Sequence, residues 1–176
     1  MNQKTTLRTV VTALFAALIC LATMLVQIPI PATGGYANLG DGVILIAAFL
    51  LQPWSAVVAA GVGSALADVL SGYVAFVPGT LVIKAGVALI AALLFQNKGA
   101  NSLGGQKLFR MIAACVTAEA FMVVGYFFYE AVLMGVGLGA AGGVIGNVGQ
   151  GVVGGLIACA VTPALYRIDG LQNFLH

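Results

Sequence analysis

Long apolar segments alternate with short polar ones along the chain. A helix that crosses the ~30 Å hydrocarbon core of a bilayer needs ~20 apolar residues, because each residue adds ~1.5 Å. Four segments have the length and composition of such helices: 7–28, 78–96, 108–134 and 140–166. A longer apolar stretch, 40–73, is interrupted by Gln52, Pro53 and Trp54. The pattern therefore predicts five or six membrane crossings.

The distribution of basic residues favours six crossings. Lys and Arg concentrate in the cytoplasmic loops of membrane proteins. If 40–73 were one helix, the basic residues near the N-terminus would lie opposite those around 98–110. If it divides at Pro53 into helices 40–53 and 55–73, six of the seven basic residues share one side: Lys4, Arg8, Lys98, Lys107, Arg110 and Arg167. We therefore expect six helices, with both termini in the cytoplasm and Trp54 at the inner membrane interface.

Composition supports a membrane protein. Of the 176 residues, 61% are hydrophobic and only 7% are charged, whereas a soluble domain carries about 25% charged residues. The chain could not cover a water-facing surface with polar groups. We predict an all-α integral membrane protein of one domain, 1–176, folded as a bundle of six short transmembrane helices. The net charge of +2 gives no indication of nucleic-acid binding.

The segment 29–39 is predicted to be the first external loop, since Pro29 and Pro31 suit a turn and not a helix interior. It carries Thr33 and Tyr36 and leads directly into the second helix. A cleaved signal peptide over 1–33 is the rival interpretation of the first span. It is disfavoured because the apolar core of a signal peptide is only about 7–15 residues long.

Residue types typical of catalytic or metal sites are scarce. Cys20, Cys115 and Cys159 all lie in apolar segments, as buried cysteines do. The single histidine, His176, cannot form a zinc site without further ligands at a suitable spacing. No G-x-S-x-G motif occurs. We expect no enzyme activity, no metal and no cofactor bound by this chain.

Five charged residues lie within or at the ends of the apolar segments: Asp41, Asp68, Lys84, Glu119 and Glu130. Such residues are costly in lipid, face the bundle interior and usually mark a functional site. In the six-helix topology nearly all of them fall in the outer half of the membrane, and only Glu119 lies near mid-helix. This distribution predicts a polar pocket that opens outward, with Asp41 at its mouth.

Seven residues are predicted to line the pocket and bind a solute. Asn147 and Gln150 lie one turn apart on helix 6, so their amides share a face. Together the seven supply acid, base, amide and phenol groups, which suit a neutral or zwitterionic heteroaromatic ring bearing hydroxyls. They are Asn38, Asp41, Lys84, Tyr126, Glu130, Asn147 and Gln150.

Structural roles stay open for most of the polar residues in the apolar segments. Asp68 and Lys84 form a candidate ion pair between helices 3 and 4, since lone buried charges are avoided. Asn38 or Asp41 would serve equally well as a cap of helix 2. The tyrosines of helix 5 could belong to an interfacial belt. The amides of helix 6 could join helices, and Glu119 could be a protonated structural residue.

Helix 1 carries small residues at Ala13, Ala16, Ala17 and Ala22. Small residues spaced in this way allow helices to pack closely. The stripe fits either packing within the chain or docking of another membrane protein.

Several stretches resemble one transporter family. They are "GYANLGDGVILIAAFLLQP" at helix 2, "GVGSALADVLSGY" in helix 3, "PGTLVIKAG" in helix 4, "GYFFYEA" in helix 5 and "GNVGQGVVG" in helix 6. Over roughly residues 5–168 the chain resembles an S component, the substrate-binding membrane subunit of an energy-coupling-factor (ECF) transporter. More narrowly, it is similar to the group associated with hydroxymethylpyrimidine, pyridoxine or riboflavin.

The resemblance implies a function and a set of partners. An S component binds a vitamin with high affinity near the outer face of the cytoplasmic membrane. It works with a membrane scaffold subunit and two cytoplasmic ATPases, which use the ATP; no Walker motif occurs in this chain. By analogy, Ala13 and Ala17, with Ala16 beside them, would contact the scaffold, and Pro31 to Asn38 would form a lid.

The rival function is an autonomous secondary transporter. Such a protein needs coupling-ion groups through the full depth of the membrane, and Glu119 is the one candidate in the sequence. The sequence does not distinguish among the substrates, and a small pyrimidine or pyridine is the preferred expectation, with riboflavin as the second.

Overall fold

The structure is a computed structural model that describes residues 3–96 and 105–168. Lys98, most of the polar loop around it and His176 lie outside the described residues. The described chain contains a short β-hairpin and six α-helices. Their bounds are α1 Gln3–Leu25, β1 Gln27–Ile30, β2 Gly35–Asn38, α2 Gly40–Leu50, α3 Pro53–Ser71, α4 Val77–Gln96, α5 Gly105–Phe128 and α6 Ala141–Leu165.

The predicted all-α membrane bundle is confirmed. Five of the described helical segments are long and apolar enough to cross a membrane: Lys4–Leu25, Pro53–Ser71, Val74–Gln96, Gln106–Leu133 and Gly137–Leu165. The sixth helix, α2, has 11 residues and is therefore only ~16 Å long. The chain does divide between α2 and α3, with Pro53 as the first residue of α3, where its missing N–H costs nothing.

The short helix α2 lies at the centre of the bundle. It packs against α1, α3, α4 and α6, and all of its residues except Val43 are buried. A helix that is apolar on all sides is expected in such a position. The remaining helices surround it, with α3 against α4, α4 against α5 and α5 against α6.

Helix α2 begins deep in the bundle. Its first turn is joined to α4 through Asp41 and Lys84, and its end meets Gln96, whose amide donates to the carbonyl of Leu51. Lys84 lies seven residues after Val77, the first residue of α4, which is roughly 10 Å along the axis. The expectation that Asp41 lies at the outer mouth is therefore wrong, because α2 is too short to reach that level.

A β-hairpin fills the space above α2. Strands β1 and β2 pair antiparallel from Gln27 with Asn38 to Ile30 with Gly35, and Gly34 takes the left-handed conformation of the turn at φ 71°. The sequence predicted a loop at 29–39, and helix 1 continuing to residue 28. Backbone that is not helical must satisfy its own polar groups at membrane depth. Pairing within the hairpin does so.

Apart from Lys84, the basic residues of the described chain lie toward the opposite end of the bundle. The Lys107 ammonium lies 3.4 Å from the centre of the Tyr166 ring and 6.0 Å from that of Phe95. The Tyr166 hydroxyl donates to the carbonyl of Phe49 near the end of α2. Helices α2 and α4 therefore end, and α5 begins, on the side away from the hairpin.

Candidate binding site

A buried hydrogen-bonded cluster joins α2, α4, α5 and α6. The Lys84 ammonium donates to Asp41 Oδ1 over 2.5 Å and also contacts the sulfur of Met122. The Gln150 amide donates to the other carboxylate oxygen, Asp41 Oδ2, over 2.6 Å. All four side chains are buried. Each of these polar groups thus has a partner, which offsets part of the cost of burying the charges.

The same cluster holds the hairpin. Gln150 Oε1 accepts a hydrogen bond from the backbone N–H of Asn38 over 2.7 Å. The side chain of Asn38 accepts from the N–H of Gly40 over 2.9 Å, so it forms an Asx turn that leads into α2. Gln150 therefore uses both ends of its amide to tie the hairpin to the ion pair.

The candidate ion pair between Asp68 and Lys84 is not the one that forms. Lys84 pairs with Asp41, and Asp68 Oδ1 instead accepts a hydrogen bond of 2.6 Å from the Tyr36 hydroxyl. The reason is that α2 begins at the level of Lys84, which the hydrophobic pattern did not indicate. Burial, together with the hydrogen bond to Asp68, raises the pKa of Tyr36, so this hydroxyl stays a donor.

The hairpin covers a cavity, which we call the hairpin cavity. It lies between the hairpin and the ends of α3, α4, α5 and α6 that point away from the basic residues. Its volume is about 20 Å³, which suffices for roughly one water molecule. The residues that line it are Ile30, Tyr36, Asp68, Phe76, Thr80, Tyr126, Glu130, Asn147 and Gln150.

Four of the seven predicted binding residues line this cavity, namely Tyr126, Glu130, Asn147 and Gln150. The other three lie behind it. Asp41 and Lys84 are paired with each other, and the side chain of Asn38 accepts from the N–H of Gly40 at the start of α2. The structure thus divides the predicted set into a cavity wall and a supporting cluster, with Gln150 in both.

Other wall residues gave little or no signal in the sequence. Phe76 is apolar and lies in the 3₁₀ turn Val74–Phe76 before α4, so nothing in the pattern distinguished it from a core residue. Thr80 lies one turn before Lys84 on the same face of α4. This spacing could have identified Thr80 as a residue of the cavity wall. Its hydroxyl lies 3.0 Å from the hydroxyl of Tyr126. Tyr36 was expected only as part of a lid loop.

Glu130 reaches the cavity from an irregular turn. Residues Tyr129–Leu133 form a π-helical turn at the end of α5, a distortion frequent at functional sites. The carboxyl lies against α6, where a Cβ on Gly143 would be 2.8 Å from Glu130 Oε2. The absence of a side chain at Gly143 therefore makes room for the carboxyl. The Cγ2 atom of Thr33 would lie 3.1 Å from the same Cβ, so Thr33 approaches the same side of this glycine.

Glu119 lies away from the cavity. It is buried, and neither carboxyl oxygen has a hydrogen-bond partner among the described residues. It lines an apolar groove between α5 and α6, together with Cys115 and Gly151. Within the described chain, no cluster of three or more His, Cys, Asp or Glu side chains could hold a metal ion.

The alanines of α1 border a second surface feature, the α1–α3 groove. Ala13 and Ala17 are exposed, whereas Ala16 is half-buried and packs against Gly63 of α3. The groove has a volume of about 640 Å³ and also includes Trp54 and Val58. The stripe thus combines packing within the chain, at Ala16, with an open surface at Ala13 and Ala17.

Comparison with known proteins gives two matches. The model of the family described as ECF-type riboflavin transporter, S component, matches residues 3–167. A protein of Pyrococcus woesei, described as an uncharacterized protein in a gap 3′ region, is 41% identical over 119 residues, which are 68% of this chain and 75% of that protein. The family match covers the hairpin and all six helices.

Proposed function

The chain belongs to the family of ECF-type riboflavin transporter S components, and from this premise we propose that it captures a water-soluble vitamin or vitamin precursor for an ATP-driven importer. The observation that carries the proposal is the hairpin cavity. Acids, amides and phenols from the hairpin and four helices meet there inside an otherwise apolar bundle. Polar groups that converge in a concave site are typical of small-molecule binding.

The proposed orientation places the hairpin cavity at the outer face of the cytoplasmic membrane. The described basic residues at the opposite end of the bundle support it, since cytoplasmic segments are enriched in Lys and Arg. Both termini would then be cytoplasmic, and the solute would arrive from outside.

The proposed substrate is a small pyrimidine or pyridine, such as hydroxymethylpyrimidine or pyridoxine, with riboflavin as the second candidate. The family description favours riboflavin, whereas the mixture of acids, amides and phenols in the wall suits a small heteroaromatic ring that bears hydroxyls. The ring would lie among Phe76, Tyr126 and Tyr36, with Glu130, Asn147 and Gln150 at its edge. Aromatic walls with a few placed polar groups suit such ligands.

We propose that the hairpin is the lid of the site. A cavity of about 20 Å³ is far smaller than pockets that hold vitamin-sized ligands, which occupy about 300 Å³ or more. The hairpin contributes Ile30 and Tyr36 to the wall. Among the described residues, hydrogen bonds join it to the helices at Asn38 with Gln150, Tyr36 with Asp68 and Gln27 with Ser71.

We propose that the α1–α3 groove receives the scaffold subunit, with Ala13 and Ala17 at the contact and Ala16 beside them. The exposure of the two outer alanines supports this assignment, because close helix approach requires small residues. Two cytoplasmic ATPase subunits would complete the importer and hydrolyse ATP, and this chain would bind no cofactor itself.

An uptake assay tests the proposed function against its rival. Cells that lack endogenous vitamin uptake would express the chain alone, with an ECF scaffold and active ATPases, or with ATPases inactivated in their Walker A lysine. The proposal predicts uptake only with the active module. Uptake by the chain alone, abolished by Glu119→Gln, would instead support an autonomous secondary transporter.

A further inference from the structure

Two carboxyl groups in the wall of the hairpin cavity have an oxygen that makes no hydrogen bond. These are Asp68 Oδ2 and Glu130 Oε2, and both atoms are buried among the described residues. Each side chain is 3% exposed. Buried polar atoms are nearly always hydrogen-bonded. Other buried polar atoms of the described residues also have no partner, those of Glu119 among them, but only these two belong to residues that line the hairpin cavity. A molecule bound in the cavity would supply their partners.

Among the described residues, no basic side chain lines the cavity to balance these acids. Lys84 is the nearest basic residue, and its ammonium is committed to Asp41 and Met122. The remaining basic side chains in the described part of the chain belong to the opposite end of the bundle, as the position of Lys107 illustrates. Uncompensated carboxylates are costly to bury. A ligand that brings positive charge or N–H donors would remove that cost.

We propose, on the basis of the function proposed above, that the substrate is a ring molecule that directs an amino or ammonium group at Asp68 or Glu130 and a second donor at the other acid. A carboxylate only accepts hydrogen bonds. An N–H or ammonium group is its natural partner, and hydrogen bonds to charged groups are the strong ones. A ring carbonyl that faces an ionised acid would meet another acceptor and would leave that acid without a partner.

The rest of the wall does not impose the same requirement. The amide of Asn147 has hydrogen-bond donors and an acceptor. The hydroxyls of Tyr126 and Thr80 can each donate or accept a hydrogen bond. These groups can therefore bind either a donor or an acceptor of the ligand, whereas the two ionised acids require a donor. A site built to hydrogen-bond a ligand group strongly rejects the analogue that lacks it, so the acids determine specificity.

Paired ligands test this inference by calorimetry on the full chain in detergent. One pair is pyridoxamine and pyridoxine, which differ by an aminomethyl and a hydroxymethyl group. The other is hydroxymethylpyrimidine with its 4-amino group and the analogue with a 4-oxo group. We expect the amino member of at least one pair to bind about 10- to 100-fold more tightly, since hydrogen bonds to charged groups contribute about 1.5–3 kcal/mol.

Three amide variants identify the groups responsible. Asp68→Asn and Glu130→Gln keep the shape of the wall but replace a free acceptor with an amide, so at least one of them should reduce the amino preference below about threefold. Glu119→Gln alters another buried acid without hydrogen-bond partners, outside the cavity, and should leave the preference intact. Thermal unfolding of each variant shows that the fold is retained.

The outcomes separate this inference from the proposed function. Equal affinity for the members of both pairs, or tighter binding of riboflavin than of every amino ligand, would overturn the inference while leaving the solute-capture function in place. The inference would also be overturned if Glu119→Gln removed the preference for amino ligands as effectively as Asp68→Asn and Glu130→Gln. If none of the pyrimidine, pyridine and flavin ligands binds, the proposed function fails and the inference fails with it.

Discussion

Lys84 of α4 and Asp41 of α2 form a buried ion pair of 2.5 Å between Nζ and Oδ1. The second oxygen of Asp41 is taken by Gln150. The start of α2 is thereby fixed about 10 Å below the start of α4, and the space left above it is occupied by the hairpin and its cavity. The pair thus determines where the candidate site lies in the bundle.

Removing one partner of this pair should destabilise the protein strongly. Lys84→Met and Asp41→Asn should each cost about 3–5 kcal/mol, because the remaining partner keeps its burial and loses its counter-charge. The double variant should cost clearly less than the sum. Thermal unfolding in detergent measures the effects, with Lys4→Met at the exposed start of α1 as the control. Single variants no less stable than that control would contradict this account of the ion pair.

Gln150 should anchor the hairpin to the helices, in addition to contributing to the stability of the fold. Gln150→Leu removes the bonds to Asn38 and Asp41, so we expect faster amide exchange at 27–38 and weaker solute binding. Gln96→Leu is the matched control, since Gln96 also joins helix and backbone, at Ala48 and Leu51, but at the other end of the bundle. Hydrogen exchange read by mass spectrometry distinguishes the two. Equal hairpin exchange in both variants would show that Gln150 does not anchor the hairpin.

Two glycines of α6 should respond differently to alanine. A Cβ on Gly143 would meet Glu130 Oε2 at 2.8 Å, whereas a Cβ on Gly149 meets nothing within 4 Å. Displacing the carboxyl of Glu130 should weaken solute binding by about tenfold or more. Gly149→Ala should leave binding unchanged and raise stability slightly, because alanine is the better helix former. Calorimetric titration of both variants checks the prediction, and equal affinities would remove Glu130 from the site.

The α1–α3 groove should be needed for assembly and not for solute binding. Ala17→Leu places a larger side chain in the open part of the groove, so we expect loss of co-purification with an ECF scaffold and loss of uptake. Solute affinity of the isolated chain should not change. Ala120→Leu, also at an exposed alanine but on α5, is the control. An Ala17→Leu chain that assembles as well as the control would exclude this groove as the docking surface.

Much of the fold could be predicted from the sequence because apolar length alone restricts a membrane helix. The six helices and the break before Pro53 follow from hydrophobic segments and the placement of basic residues. The hairpin could not be predicted, since strands of four residues such as Gly35–Asn38 are too short to show a period of two. The second helix was predicted at 40–53, and α2 spans Gly40–Leu50; its earlier end could not be predicted, because the apolar sequence continues into the next turn.

The site could be predicted in part, for a similar reason. Glu130, Asn147 and Gln150 were identified because polar residues are conspicuous in apolar helices. Which acid pairs with Lys84 depends on the level at which α2 begins, and that level follows from packing and not from local pattern. Phe76 could not be identified, since an aromatic wall residue has the same pattern as a core residue.

The most direct test of solute capture is native mass spectrometry of the purified full chain, followed by calorimetric titration with hydroxymethylpyrimidine, pyridoxine, pyridoxamine and riboflavin. Calorimetry is preferable to fluorescence because the single tryptophan, Trp54, is 73% exposed and lies away from the cavity. The account predicts a co-purified small heteroaromatic ring or nanomolar binding of one vitamin by the chain alone. Absence of binding to every vitamin, together with no stable association with a scaffold and ATPases, would contradict it.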